Sequence, residues 1–140
     1  MALLIWMVVQ LCNVLFTREL QRRLSANEAT KDIVANSFNP GLIVGTGLFR
    51  YQNQLFTKLF DFAATDLLKV GESPEWGGGC LEYMTRVDTK GLFYSSAPGT
   101  SKYGDSAYGN QFAASAISKE AQDDAKAQRL WELTSRELGI

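Results

Sequence analysis

The sequence contains no histidine and two cysteines, Cys12 and Cys80, so the chemistry open to its side chains is restricted. Without histidine, the Ser–His and Cys–His pairs that activate a nucleophile are excluded. A zinc site needs three or four Cys, His or carboxylate ligands gathered in space, and none is expected here. Any catalysis would therefore depend on a tyrosine, a lysine, a carboxylate, a thiol or a cofactor.

The cysteines and tyrosines could have a chemical role or could serve only packing. Cys12 falls on an apolar stripe and Cys80 in a glycine-rich helix, so both are expected to pack as small hydrophobic groups. Tyr94, Tyr103 and Tyr108 surround a loop rich in Ser and Gly. They are candidate proton donors, although a tyrosine in a loop commonly serves only packing. No residue is assigned a catalytic role.

The hydrophobic periodicity predicts helices that would position these groups. A long helix is predicted from Leu11 to Leu24, because apolar residues recur there at four-residue spacing. An aromatic amphipathic helix is predicted over 49–62, and a third helix begins after Ser73-Pro74 and reaches Met84 despite three glycines. The last helix is predicted from Ser118, its N-cap, to Leu138.

Two short strands are predicted between these helices, Asp32–Phe38 and Gly91–Tyr94. The first ends at the Asn39-Pro40-Gly41 turn, because proline cannot donate to a ladder and glycine supplies a positive φ. The stretch from Ser95 to Asn110 is predicted to be a loop. Two strands alone are marginally stable, so the pattern indicates an incomplete, helix-rich α/β unit with about two strands.

The chain as a whole has 140 residues and a net charge of −1, which suits one domain and provides no broad basic field for nucleic acid. Met1 to Phe16 is apolar for about 16 residues, short of the ~20 needed to cross a bilayer. Three explanations stay open: a buried helix, an interfacial or inserted segment, or a mis-assigned start. Residues 1–9 form an apolar segment of uncertain origin, and no transit-peptide pattern is visible.

Several segments resemble short-chain dehydrogenases/reductases, in the same order along the chain. Leu11 to Leu20 is similar to the helix after the catalytic Tyr-x-x-x-Lys, and Asn39-Pro40-Gly41 to the Pro-Gly turn beside the nicotinamide. Further motifs resemble light-dependent protochlorophyllide reductases in particular. They are Thr46-Gly47-Leu48-Phe49-Arg50, Gly91-Leu92-Phe93-Tyr94-Ser95, Asn110-Gln111, Ser118-Lys119-Glu120-Ala121 and Leu130-Trp131-Glu132.

The resemblance implies that residues 10–140 form the C-terminal half of a Rossmann-like reductase domain, with NADPH as hydride donor. Pro40, Gly41 and Thr46 would then be the cofactor-binding positions. The Thr46 hydroxyl either contacts the cofactor or satisfies its own turn, and both readings stay open. The glycine-rich phosphate turn of the family is absent from the sequence, so NADPH binding by this chain is doubtful.

The family's reacting groups are also replaced. By this resemblance the tyrosine, lysine and cysteine positions hold Trp6, Gln10 and Leu42. An indole cannot deliver a proton as a phenol of lowered pKa does, and an amide has no charge to hold a ribose. The expectation is a protochlorophyllide-reductase-like oxidoreductase of chlorophyll biosynthesis, truncated and inactive as this chain.

The alternative is a non-catalytic structural or pigment-associated subunit of a thylakoid membrane complex. Its partners would be a tetrapyrrole or other pigment, and a membrane protein complex that contacts Met1–Phe16 and the aromatic faces. The resemblance implies a chloroplast location, associated with thylakoids.

Overall fold

A computed structural model describes residues 2–43, 53–67, 71–96 and 112–139 of the chain. The chain divides into two compact units. The first unit comprises Met1–Ser37, Asp88–Phe93 and Ser115–Ile140, and the second comprises Phe38–Val87 and Tyr94–Ala114.

The first helix, α1, extends over Ala2–Ser25 and so begins nine residues earlier than predicted. Its buried positions are Val14, Leu15, Glu19 and Gln21. The buried face of α1 is therefore displaced from the predicted apolar stripe, because Phe16 is exposed and Cys12 is only half-buried. Within the described residues, no helix combines the length and apolar character that a bilayer-spanning helix requires.

The predicted strand Asp32–Phe38 is wrong over most of its length. Strand β1 is Ser37–Asn39. Ahead of it, the side chain of Gln21 accepts from the Ala35 amide at 2.6 Å and donates to the Ile33 carbonyl at 3.3 Å. A helix side chain thus takes backbone groups that a longer strand would have used in its ladder.

The last helix, α4, is Asp124–Leu138, six residues shorter than predicted. Asp123 is its N-cap and accepts from the Lys126 amide at 3.0 Å. Ser118 instead accepts from the Ala121 amide at 3.2 Å and closes a separate turn. In the first unit, α4 packs against α1, with the rings of Phe16 and Trp131 stacked at 5.1 Å.

Two further helices belong to the second unit. Helix α2 is Gln54–Phe62, capped by Asn53, and a π-helical turn over Ala63–Leu67 extends it. The first residues of the predicted helix, 49–52, lie outside the described residues. Helix α3 is Pro74–Met84, which confirms the helix predicted after Ser73-Pro74 and up to Met84, and its N-cap is Ser73.

The glycines inside α3 have a packing explanation at one position. A Cβ at Gly77 would clash with the Cδ1 atom of Ile43, whereas a Cβ at Gly78 would meet no atom within 4 Å. Gly77 therefore allows Ile43 to approach the helix closely, and this contact helps to offset the low helix propensity of the glycines.

The strands form one sheet in the order β1-β2-β3. Strand β2 is Phe93–Ser96, shifted by two residues from the prediction, and β3 is Phe112–Ala114, which was not predicted. These two strands pair antiparallel, with Tyr94 opposite Ala114 and Ser96 opposite Phe112. The predicted helix-rich α/β class is confirmed, with three strands in the described residues instead of about two, and the arrangement is consistent with an incomplete Rossmann-like unit.

Candidate functional site

The Pro40-Gly41 turn follows β1 directly in the second unit and is held by side chains on both sides. Gly41 has φ +98, a backbone conformation that favours glycine, and its amide donates to the Asn39 Oδ1 atom at 3.0 Å. The indole Nε1 of Trp76 donates to the Pro40 carbonyl at 3.1 Å. The turn is therefore fixed in one conformation by an Asn before it and by a helix that lies 36 residues further along the chain.

The residues after the turn form its second anchor. Leu42 makes a parallel β-bridge with Gly71, and the Glu72 amide donates to the Leu42 carbonyl at 2.7 Å. A Cβ at Gly41 would lie 2.6 Å from Cγ of Glu72 and 3.3 Å from Oγ of Ser96. No side chain fits at residue 41, so the turn presents bare backbone beside a buried carboxyl-bearing side chain.

An aromatic cluster lies behind this turn in the second unit. Its buried members are Trp76, Cys80, Tyr94 and Phe112, and Phe38, Tyr83, Met84 and Val87 pack against them. The ring of Phe112 is fully buried and meets the rings of Phe38, Tyr83 and Tyr94 at centroid distances of 5.9, 5.8 and 5.9 Å. Edge-to-face and tilted pairs of this kind add to the free energy gained by burial alone.

The reactive groups in this cluster are poorly suited to proton transfer. Burial, together with the negative charge of Glu72, raises the pKa of the Cys80 thiol to about 11. The thiol is thus protonated and inert near neutral pH, as expected for a cysteine that serves packing. Tyr94 is buried with its ring against Tyr83 and Phe112, so it is a packed core tyrosine in this unit.

Ser96 has a polar side chain without a hydrogen bond. Its Oγ atom is buried and has no hydrogen-bond partner among the described residues. A buried unsatisfied hydroxyl is uncommon in native structures, and its position near Gly41 makes it part of the candidate site.

The residues predicted to bind a cofactor are only partly placed by the structure. Pro40 and Gly41 lie in the pinned turn, and their role in binding stays a prediction. Thr46 lies outside the described residues, as do Tyr103 and Tyr108. The described residues include no group of three or more Cys, Asp or Glu side chains close enough to hold a metal ion.

The positions that stand for the family's reacting groups fall in both units. Leu42 follows the turn in the second unit, where its carbonyl is bonded to the Glu72 amide. Trp6 and Gln10 belong to α1 in the first unit. The Gln10 side chain is half-buried, and the Trp6 side chain lies outside the described part of the chain.

Sequence reasoning missed the side chains that hold the turn. Asn39 was placed in the turn but not as a partner of the Gly41 amide. Trp76, Glu72 and Ser96 were not singled out, because their link to Pro40 and Gly41 depends on the fold. The one available signal was Asn at the residue before Pro-Gly, since Asn commonly bonds the backbone two residues on.

The chain is similar to protochlorophyllide reductases over nearly its whole length. It is 32% identical over 134 residues to "Protochlorophyllide reductase, chloroplastic" of Marchantia paleacea, covering 94% of this chain and 26% of that protein. The B form of Hordeum vulgare is 32% identical over 131 residues, covering 94% and 31%. The A form of Arabidopsis thaliana is 32% identical over 133 residues, covering 94% and 30%.

The matched region is the C-terminal part of these relatives, so this chain spans about a third of their length or less. No protein-family model matches the chain. The chain is thus a short-chain-dehydrogenase-like segment. Its predicted resemblance to the C-terminal part of protochlorophyllide reductases is confirmed.

Proposed function

We propose that this chain acts as the C-terminal part of a protochlorophyllide-reductase-like oxidoreductase of chlorophyll biosynthesis in the chloroplast. Within it, the chain supplies the Pro40-Gly41 turn and the aromatic cluster behind that turn. The observation that carries the proposal is the pinned turn. In a segment similar to these reductases over 94% of its length, the Pro-Gly turn is buttressed by Trp76 and Glu72.

The described residues of the second unit do not fit the diphosphate of NADPH. They carry five carboxylates and two cations, Lys58 and Arg86, and Arg86 is paired with Glu82. The Pro40 carbonyl, the Gly41 amide and the Leu42 carbonyl are all bonded within the protein. Phosphate groups bind where cations or free backbone amides converge, and neither is found among the described residues of the Pro40-Gly41 turn. NADPH dependence therefore rests on the resemblance alone, and no described residue is given a role in hydride transfer.

Proton delivery is likewise assigned to no described residue of this chain. Trp6, Gln10 and Leu42 stand where the resemblance expects a phenol, an ammonium and a thiol. Cys80 does not substitute for the last of these, because its raised pKa makes it a poor acid. We therefore propose that this chain does not reduce protochlorophyllide by itself.

The experiment is illumination of the purified chain with protochlorophyllide and NADPH, followed by the absorbance change that accompanies chlorophyllide formation. The Arabidopsis relative is the positive control under the same light. No product above the light-only background is expected from this chain. Turnover by the chain alone, or saturable NADPH binding at micromolar concentration, would sink this part of the proposal.

A second candidate function is that of a non-catalytic, pigment-associated subunit. It is favoured by an apolar stripe on α2, where Leu55, Leu59 and Phe62 are 77%, 65% and 57% exposed. These residues follow i, i+4, i+7 spacing and so share one helix face. Exposed apolar patches commonly mark interaction sites. In the thylakoid setting of this alternative, the stripe would meet a pigment or a membrane protein.

Protochlorophyllide fluorescence, titrated with the chain in the dark, tests this candidate. Binding that is weakened by Leu59→Ser but unchanged by Leu81→Ser supports it, because Leu81 is also an exposed leucine but lies on α3. Equal loss with both variants indicates non-specific adsorption and contradicts the candidate.

A further inference from the structure

The first unit contains a polar cleft of about 290 Å³, and half of its lining residues belong to α1. Its lining includes Arg18, Glu19, Gln21, Arg22, Lys90, Gly91, Asp124 and Ala127. Three of these side chains are cationic and two are carboxylates. The cleft is independent of the Pro40-Gly41 turn, and all of its lining residues belong to one unit.

Both carboxylates of the cleft are already paired. Glu19 is 2% exposed and accepts from Arg22 Nε at 2.8 Å, from Arg22 Nη2 at 2.7 Å and from Arg23 Nε at 2.7 Å. Asp124 accepts from Arg18 Nη2 at 2.8 Å. Two arginines on one buried carboxylate leave a positive excess on this part of the surface, since each guanidinium carries a full charge.

Two of the cationic side chains retain donors for a ligand. The Nη1 atom of Arg22 makes no hydrogen bond within the described residues, because Glu19 is bound through Nε and Nη2. The ammonium of Lys90 donates to the Lys31 carbonyl and forms no ion pair with a described residue. An ammonium has three donors, so Lys90 keeps donors that no carboxylate neutralises.

We infer that this cleft binds a small oxyanion, a phosphate or a carboxylate group, between Lys90 and the outer edge of Arg22. Charge-assisted bonds from an ammonium and a guanidinium to one oxyanion are the chemistry that these free donors provide. The volume is at the lower limit of ligand pockets, which suits a group of this size rather than a large cofactor. Glu19 orients the Arg22 guanidinium and is itself a positioning residue.

The test uses the full chain and inorganic phosphate, titrated over the millimolar range at constant ionic strength. Amide and Arg side-chain NMR signals report on binding, with Gly91 as a reporter in the cleft wall. Saturable shifts at Gly91 and Arg22 are expected. Lys90→Gln should weaken phosphate binding roughly fivefold, whereas Lys90→Arg, which keeps the positive charge, should retain most of the binding. Acetate in a parallel titration distinguishes a site for carboxylates from one that needs a phosphate.

The matched control is Lys119→Gln, which removes the same charge from an exposed position in the first unit outside the cleft. It should leave phosphate binding unchanged. Absence of saturable shifts with both anions, or equal weakening by Lys119→Gln and Lys90→Gln, would overturn the inference. The circular dichroism spectrum of Lys90→Gln should match that of the wild type, which would show that a loss of binding is not a loss of fold.

Discussion

The two units are stabilised by different interactions. In the first unit, α1 and α4 are joined by the stacked rings of Phe16 and Trp131 and by the ion pair of Arg18 with Asp124; Arg18 also donates to the carbonyl of Ala121, which precedes α4. Its buried positions include the charged Glu19 and the polar Gln21. In the second unit, the core is an aromatic cluster around Phe112.

Because of this difference, the two units should be destabilised by different kinds of substitution. Burial of a large ring contributes several kcal/mol, whereas buried charges give a smaller net gain, because their attraction is offset by desolvation. The second unit should therefore be sensitive to lost volume and to altered backbone, and the first to lost charge and to pH.

The largest effect is expected from Phe112→Ala in the second unit. Loss of a fully buried ring that meets three other rings should lower the free energy of unfolding by about 3–5 kcal/mol. Urea unfolding followed by circular dichroism measures the change. Phe62→Ala is the control, because Phe62 is exposed and should cost little. A loss below ~1 kcal/mol for Phe112→Ala would contradict the role of the ring as the centre of this core.

Gly41→Ala should come next, with a loss of about 2–4 kcal/mol from the unfavourable φ and the clash with Glu72. Gly78→Ala is the matched control, since it adds a methyl group to a helix with no atom within 4 Å. That control should stabilise the protein by about 0.5–1 kcal/mol. Thermal unfolding of both variants gives the comparison, and a neutral Gly41→Ala would show that the turn is not pinned.

Glu19→Gln should lower the free energy of unfolding of the first unit by about 1–3 kcal/mol at pH 7. The amide of the variant has one acceptor oxygen and no charge for the two arginines that pair with Glu19. Hydrogen bonds from Arg22 hold the pKa of Glu19 below its ordinary value of 4.5. A depressed folded-state pKa means that the stabilisation is present above pH 4.5 and is lost as pH falls through the lower folded value.

Urea unfolding of wild type and Glu19→Gln at pH 7 and at pH 3 tests this dependence. The difference between the two proteins should shrink at the lower pH. Glu132→Gln serves as the control for a carboxylate on an exposed helix face, where its ion pair with Arg129 is solvated. A difference that is independent of pH would assign the loss to packing instead of charge.

The smallest effect is expected at the start of α4. Asp123→Ala removes the N-cap of α4 and should lower the unfolding midpoint more than Ser118→Ala, which removes contacts within the preceding turn. Helix content and unfolding midpoints of the two variants decide the order. A larger loss for Ser118→Ala would contradict this order and would favour Ser118 as the N-cap, as predicted from the sequence.

Local signals predicted those parts of the fold that depend on neighbouring residues. Helix α3 was predicted correctly because Ser73-Pro74 is a cap followed by a proline at the first helical position. The Pro40-Gly41 turn was predicted for the same kind of reason. The type of chain, a helix-rich α/β segment, also follows from periodicity alone.

The parts that could not be predicted depend on residues far apart in the chain. The region before β1 does not form the predicted strand, because the side chain of Gln21 on α1 is hydrogen-bonded to the Ala35 amide and to the Ile33 carbonyl. Strand β3 has only three residues, two of them alanine, and so carries no alternating pattern. Of the candidate site, the turn was foreseen, but Trp76, Glu72 and Ser96 reach it only through the fold.

The stack at the meeting of α1 and α4 has an optical consequence. The indole of Trp131 stacks on the ring of Phe16, and the guanidinium of Arg23 lies 4.7 Å from the indole centroid. Trp76, the tryptophan of the second unit, is buried and donates to a carbonyl. With Trp6 replaced by phenylalanine, the fluorescence of the chain comes from these two indoles in unlike surroundings. Each unit then carries its own emission signal, and the order in which the units melt can be followed without any label.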